Sequence, residues 1–181
     1  RPRPFCPQSP LRAPTLTTDL VQFARSLQLD NLDSAWNQAV RAPDAGEASR
    51  YATVIDLLCE KDLASKALGM ATAMIDALAN RGETNAALEL GFRVMKRSAH
   101  NDALAKTVVG LIDKRYGDEE WLVVLKTRSG LTNAVTVTSI LEFDRLRRFT
   151  RGHVVYHSAG WNEGTVESFD AATQEVTVQF A

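Results

Sequence analysis

The stretch DLASKALGMATAMIDALANRGETNAALELGFRVMKRSA, Asp62 to Ala99, decides the fold. Leu63, Ala67, Met70, Met74 and Leu78 recur at intervals of three and four, the spacing that collects apolar side chains on one face of an α-helix. Gly82 then supplies a residue free to take positive φ and stop that helix. Leu88, Gly91, Phe92 and Met95 begin a second stripe at once. Two amphipathic helices joined by so short a link pack antiparallel.

The same pattern extends in both directions. TLTTDLVQFARSLQ offers Thr and Asp N-caps and then Leu20, Phe23, Ala24 and Leu27. NLDSAWNQAVRA carries Leu32, Trp36 and Val40, and GEASRYATVIDLLCE carries Tyr51, Val54, Leu57 and Leu58. NDALAKTVVGLIDKRYG carries Leu104, Val108 and Leu111. Helix starts recur every ~15–20 residues, or ~35–40 per pair, which resembles a helical-repeat array of the tetratricopeptide or HEAT kind; an irregular helical bundle is the alternative. Ala67, Gly69, Ala71, Ala87 and Gly91 are expected at the helix crossings, where small residues let axes approach.

Beyond Gly117 the pattern loosens. DEEWLVVLKTRSGL reads as a short helix ended by Gly130, with Asp118, Glu119 and Glu120 as negative charge in its first turn. NAVTVTSILEFDRLRR is a helix by Ile140, Leu141 and Leu146, although β-branched Val135 to Thr138 also suit a strand; the helix is the expectation. From His153 the period becomes two. Val154 and Tyr156 fall on one face of HVVYH, with His153, Val155 and His157 on the other, and Val176, Val178 and Phe180 share a face of EVTVQF. With TVESF between them, these make three antiparallel strands of a small SH3-like module. Three strands are fewer than such a barrel uses, so the expectation is an incomplete module in a piece of a longer protein.

The expected organisation is therefore mostly α. Residues 1–14, which hold five of the six prolines, form a disordered arm; 15–130 a helical-repeat domain; 131–150 a connecting helix; and 151–181 a partial β module. Lys and Arg number 21 against 22 acidic residues, for a net charge of -1, so nucleic-acid contact is confined to local basic patches. Cys6 and Cys59 have no CxxC neighbour and read as free thiols of a reducing, cytoplasmic compartment. No apolar run approaches the ~20 residues of a membrane span.

Reaction chemistry is not expected. The sequence has no Gly-rich phosphate loop, HExxH pair or GxSxG elbow. His153 and His157 lie about 13 Å apart along an extended strand, too far for one metal. Neither cofactor nor metal is called for.

The pattern F-x-x-G-x-V-V-Y-H-x-x-G-W-x-x-G-x-V is present as Phe149, Gly152, Val154, Val155, Tyr156, His157, Gly160, Trp161, Gly164 and Val166. It resembles the small β module of CarD-like RNA-polymerase-interacting domains, and more closely a region that precedes the cleavage-factor portion of long bacterial Gre-type transcription elongation proteins. Those proteins also carry helical-repeat-like extensions. Their turn commonly reads W-G-x-G, where this chain has Trp161-Asn162-Glu163-Gly164. The resemblance implies a non-catalytic region that binds RNA polymerase or another protein, since cleavage in such factors resides at the acidic tip of a coiled coil and no such segment is present here. A general protein-binding scaffold unrelated to transcription is the alternative. The candidate partner-binding residues are Trp161, Tyr156 and His157 on the β module, with the basic cluster Arg145, Arg147, Arg148 and Arg151 at its junction with the helices. Gly152, Gly160 and Gly164 are expected to serve turns or bulges.

Overall fold

The structure, a computed structural model, describes residues 16–97, 101–157, 160, 162–170, 173 and 175–180; the Pro-rich arm and Trp161 lie outside the described residues. Among the described residues eight α-helices are followed by three strands: α1 (Leu16–Arg25), α2 (Leu29–Arg41), α3 (Ala48–Glu60), α4 (Ala64–Asn80), α5 (Thr84–Met95), α6 (Asp102–Tyr116), α7 (Leu122–Arg128), α8 (Val137–Arg147), β1 (Val154–His157), β2 (Asn162–Asp170) and β3 (Glu175–Phe180). The expected helical array with a small antiparallel β module is what the chain forms.

Helices pack in consecutive pairs, α1 with α2, α3 with α4 and α5 with α6. The pairs stack: α1 touches α3, α3 touches α5, and α5 touches α8, while α2 touches α4. One row of helices thus runs α1, α3, α5, α8. One apolar core extends through the array from Leu20 to Phe143. Trp36 joins the first two pairs, its indole N–H donating to the Met70 carbonyl at 3.1 Å and its ring meeting Tyr51 edge-on at 5.6 Å. Ala67, Ala71 and Ala87 are fully buried. At Gly91 a Cβ would lie 2.8 Å from Val108 Cγ2, so α5 and α6 meet where only a hydrogen fits. Gly69 departs from expectation, for it lies on the exposed face with nothing within 4 Å.

Three of the connections close in one way. Leu27, Asp62 and Gly82 adopt left-handed φ of 55°, 60° and 84°. The following residues, Gln28, Leu63 and Glu83, each donate a backbone N–H to the carbonyl five residues back, at Phe23, Leu58 and Leu78. This is the Schellman closure, which satisfies orphan carbonyls at the helix end. Leu27 therefore sits in an exposed turn rather than on the core stripe assigned to it. Only Gly adopts that backbone without the Cβ clash. Leu27→Gly is expected to raise the unfolding free energy by roughly 0.5–1 kcal/mol, read as a higher denaturant midpoint at unchanged slope.

In the sheet β2 is central and antiparallel to both neighbours, with Val155 opposite Gly164 and Val166 opposite Val178. A register shift between Val166 and Ser168 marks a bulge at Glu167. Gly152 and Gly160 take positive φ, as expected of turn residues. Gly164 instead lies within β2, where a Cβ would meet Val178 Cγ1 at 2.5 Å and the Gln179 carbonyl at 2.9 Å. Gly164→Ala is expected to cost the sheet about 1–3 kcal/mol. Hydrogen exchange would show it as lost amide protection in β2 and β3 with α3 to α6 unchanged.

Candidate functional site

Helix α8 brings the array to the sheet. Its start is fixed by a reciprocal cap: Thr136 Oγ1 accepts from the Ser139 N–H at 3.1 Å, and Ser139 Oγ accepts from the Thr136 N–H at 3.0 Å. The cap leaves Val135 and Thr136 outside the helix and Val137 and Thr138 in its first turn. The buried face of α8 is Ile140, Phe143, Asp144 and Arg147, not the expected Ile140, Leu141 and Leu146; the two leucines are only half-buried. An Asp and an Arg three residues apart face the core because they neutralise each other there. The acidic trio precedes α7 and contributes nothing to its first turn.

Arg147 is enclosed on every side. Its Nε and Nη2 donate to Asp144 Oδ1 at 3.1 and 2.7 Å, Nη2 also donates to Glu89, and Nη1 donates to the Tyr116 hydroxyl at 3.3 Å. The guanidinium lies over the Phe92 ring, 4.8 Å from its centroid. Burial opposes its charge, but Glu89, Tyr116 and Asp144 outweigh that penalty and push its pKa above the ordinary Arg value. Asp144 is equally central: its Oδ2 receives Arg148 Nη2 at 3.0 Å and Lys96 Nζ at 3.3 Å. Thr150 Oγ1 donates back to the Arg147 carbonyl at 2.8 Å, and Gly152 N–H donates to the Val166 carbonyl at 2.8 Å. The ion network thus leads directly into β2.

The four arginines expected to act together are divided by this arrangement. Arg147 is a buried structural cation. Arg148 is half-exposed but bound to Asp144. Arg145 forks onto Glu142 at 2.9 and 2.6 Å, a hydrogen-bonded pairing that holds the Glu142 carboxyl below its usual range. Arg151 is exposed, with no carboxylate partner among the described residues. Glu89, Phe92 and Lys96 were not legible as site residues, because Glu89 lies 58 positions from Arg147 and no local spacing links α5 to α8.

On the sheet, Val154 and Tyr156 point outward and are 66% and 70% exposed, beside Glu163 and Thr165 of β2. His157 takes the opposite face and meets Phe180 edge-on at 5.9 Å. Tyr156 and His157 therefore do not share a surface. Among the described residues no group of three or more His, Cys, Asp or Glu is placed to hold a metal, and no helix is long and apolar enough to cross a membrane. Cys59 is a half-buried thiol; burial, with Asp56 nearby, pushes its pKa up and weakens it as a nucleophile.

Comparison with known protein families, with curated proteins and with solved structures finds no match in any of the three.

Proposed function

We propose that this chain is a non-catalytic binding region of a bacterial, cytoplasmic transcription-elongation-type protein, and that its β module contacts RNA polymerase. The observation that carries the reading is the Phe149-to-Val166 pattern, whose Tyr156 stands 70% exposed beside Val154 on the same face of the sheet. An exposed aromatic next to an aliphatic is a typical anchor for a partner protein. Arg151, exposed in the turn before β1, offers a bidentate donor for an acidic patch.

The test is a pull-down of core RNA polymerase by the chain. Tyr156→Ala and Trp161→Ala are each expected to weaken capture about tenfold or more, as loss of an anchor aromatic does, and Arg151→Ser to weaken it chiefly at low salt. Absence of polymerase binding by the unaltered chain sinks the reading. A general protein-binding scaffold is the second reading, favoured by a cleft on the α3, α5 and α8 row.

A further inference from the structure

Where α3, α5 and α8 meet, the row of helices leaves a cleft of about 260 Å³. Ala52, Leu90 and Phe92 form its floor, and Arg93, Lys96 and Arg148 stand around it. The three cationic side chains are 48%, 50% and 55% exposed, so their heads reach solvent. Among the described residues of the wider network five cations, Arg93, Lys96, Arg97, Arg147 and Arg148, pair with three carboxylates, Asp56, Glu89 and Asp144. The region is therefore locally positive on a chain that is nearly neutral overall.

Asp144 shows what such a place holds. Its carboxylate sits at the cleft wall with Lys96 and Arg148 on one oxygen and Arg147 on the other. We propose that this cleft is a docking site for an acidic segment of a partner protein, whose Asp or Glu carboxylate is received by Lys96 and Arg148, with Arg93 taking the next one along. The volume is below the ~300–1,000 Å³ of pockets for drug-sized ligands and suits one or two side chains of an extended peptide. A nucleic-acid backbone is disfavoured, because it needs a line of phosphate contacts and would run past Glu89 and Asp144. This site is separate from the β module, so it stands whether or not polymerase is the partner there.

The experiment titrates the full chain into a fluorescein-labelled peptide of repeating Glu-Ala-Leu, into its Gln-Ala-Leu counterpart, and into a labelled single-stranded oligouridylate. The acidic peptide is expected to bind with an affinity that falls as salt is added, and the Gln peptide at least about tenfold more weakly, the loss expected for a charge-assisted contact. Lys96→Gln with Arg148→Gln is expected to remove about tenfold or more of the acidic peptide's affinity. Ser49→Tyr, at an exposed position on the cleft edge, is expected to block binding with every charge in place. Circular dichroism at the assay temperature should match the parent for both variants, and the melting temperature should match for Ser49→Tyr, while Lys96→Gln with Arg148→Gln lowers it because Asp144 Oδ2 loses both cations. Equal binding of the two peptides, binding of the acidic peptide unchanged by both variants, or binding of the oligonucleotide alone would each overturn the proposal. Polymerase capture is expected to survive Ser49→Tyr, which lies at the cleft edge and away from the residues assigned to polymerase, so the two sites fail or succeed separately.

Discussion

Asp144→Ala is expected to lower the unfolding free energy by about 3–5 kcal/mol, because it leaves the buried Arg147 guanidinium without the carboxylate that accepts two of its hydrogen bonds. Glu89 remains, but it is more than half exposed and supplies a single contact. At this chain length such a loss corresponds to a melting temperature lower by about 6–20 °C. Arg147→Leu alone should also destabilise, since it strands Asp144. Combining the two is expected to recover most of the loss, because an apolar pair of similar volume carries no desolvation cost. A double-mutant cycle by thermal or urea unfolding checks this. Additive losses in the double variant would show that the ion pair is not the unit that holds α8 to α5.

Trp36→Ala is expected to cost about 3–5 kcal/mol, the usual range for removing a buried Trp. The side chain is 2% exposed and touches both helices of the neighbouring pair, through Tyr51 on α3 and the Met70 carbonyl on α4. In a stacked array each pair is held mainly by its neighbour, so the loss falls unevenly. Hydrogen exchange is expected to show α1 and α2 opening first, with α5 and α6 keeping most of their protection. Trp36→Phe should cost only about 1–2 kcal/mol, since the ring contact with Tyr51 is largely kept and one hydrogen bond of ordinary net worth is lost. A uniform loss of protection across all helices would argue that the molecule unfolds as one unit.

The helices were legible because their apolar spacing is local. Met70, Met74 and Leu78 repeat every turn, and every helix-forming segment read from such a stripe is present. Strand faces were legible for the same reason, with Val154 and Tyr156 outward and Val155 and His157 inward. What failed depended on backbone closures and distant partners that apolar spacing does not encode. Leu27 fits an apolar stripe by number, yet the Schellman closure turns it outward. Arg147 reads as one of four like arginines in a basic cluster until Asp144, Glu89, Tyr116 and Phe92 are placed around it. Gly164 looks like a turn residue, but β3 lies too close for any Cβ. The basic cluster was legible as a group of charges, whereas its division into one buried and three surface cations was set by where α8 lands on α5.

The carboxylate already resting on Lys96 and Arg148 has a further consequence. Asp144 is a tethered competitor, present at its own cations at an effective concentration of roughly millimolar or more. A free monocarboxylate must exceed that level before it displaces Asp144, so small anions are screened out by the protein itself. A chain carrying several carboxylates competes on equal terms, because its first contact raises the local concentration of the next. The internal ion pair thus sets a threshold of valency that a ligand must pass, in addition to its role in holding two helices together.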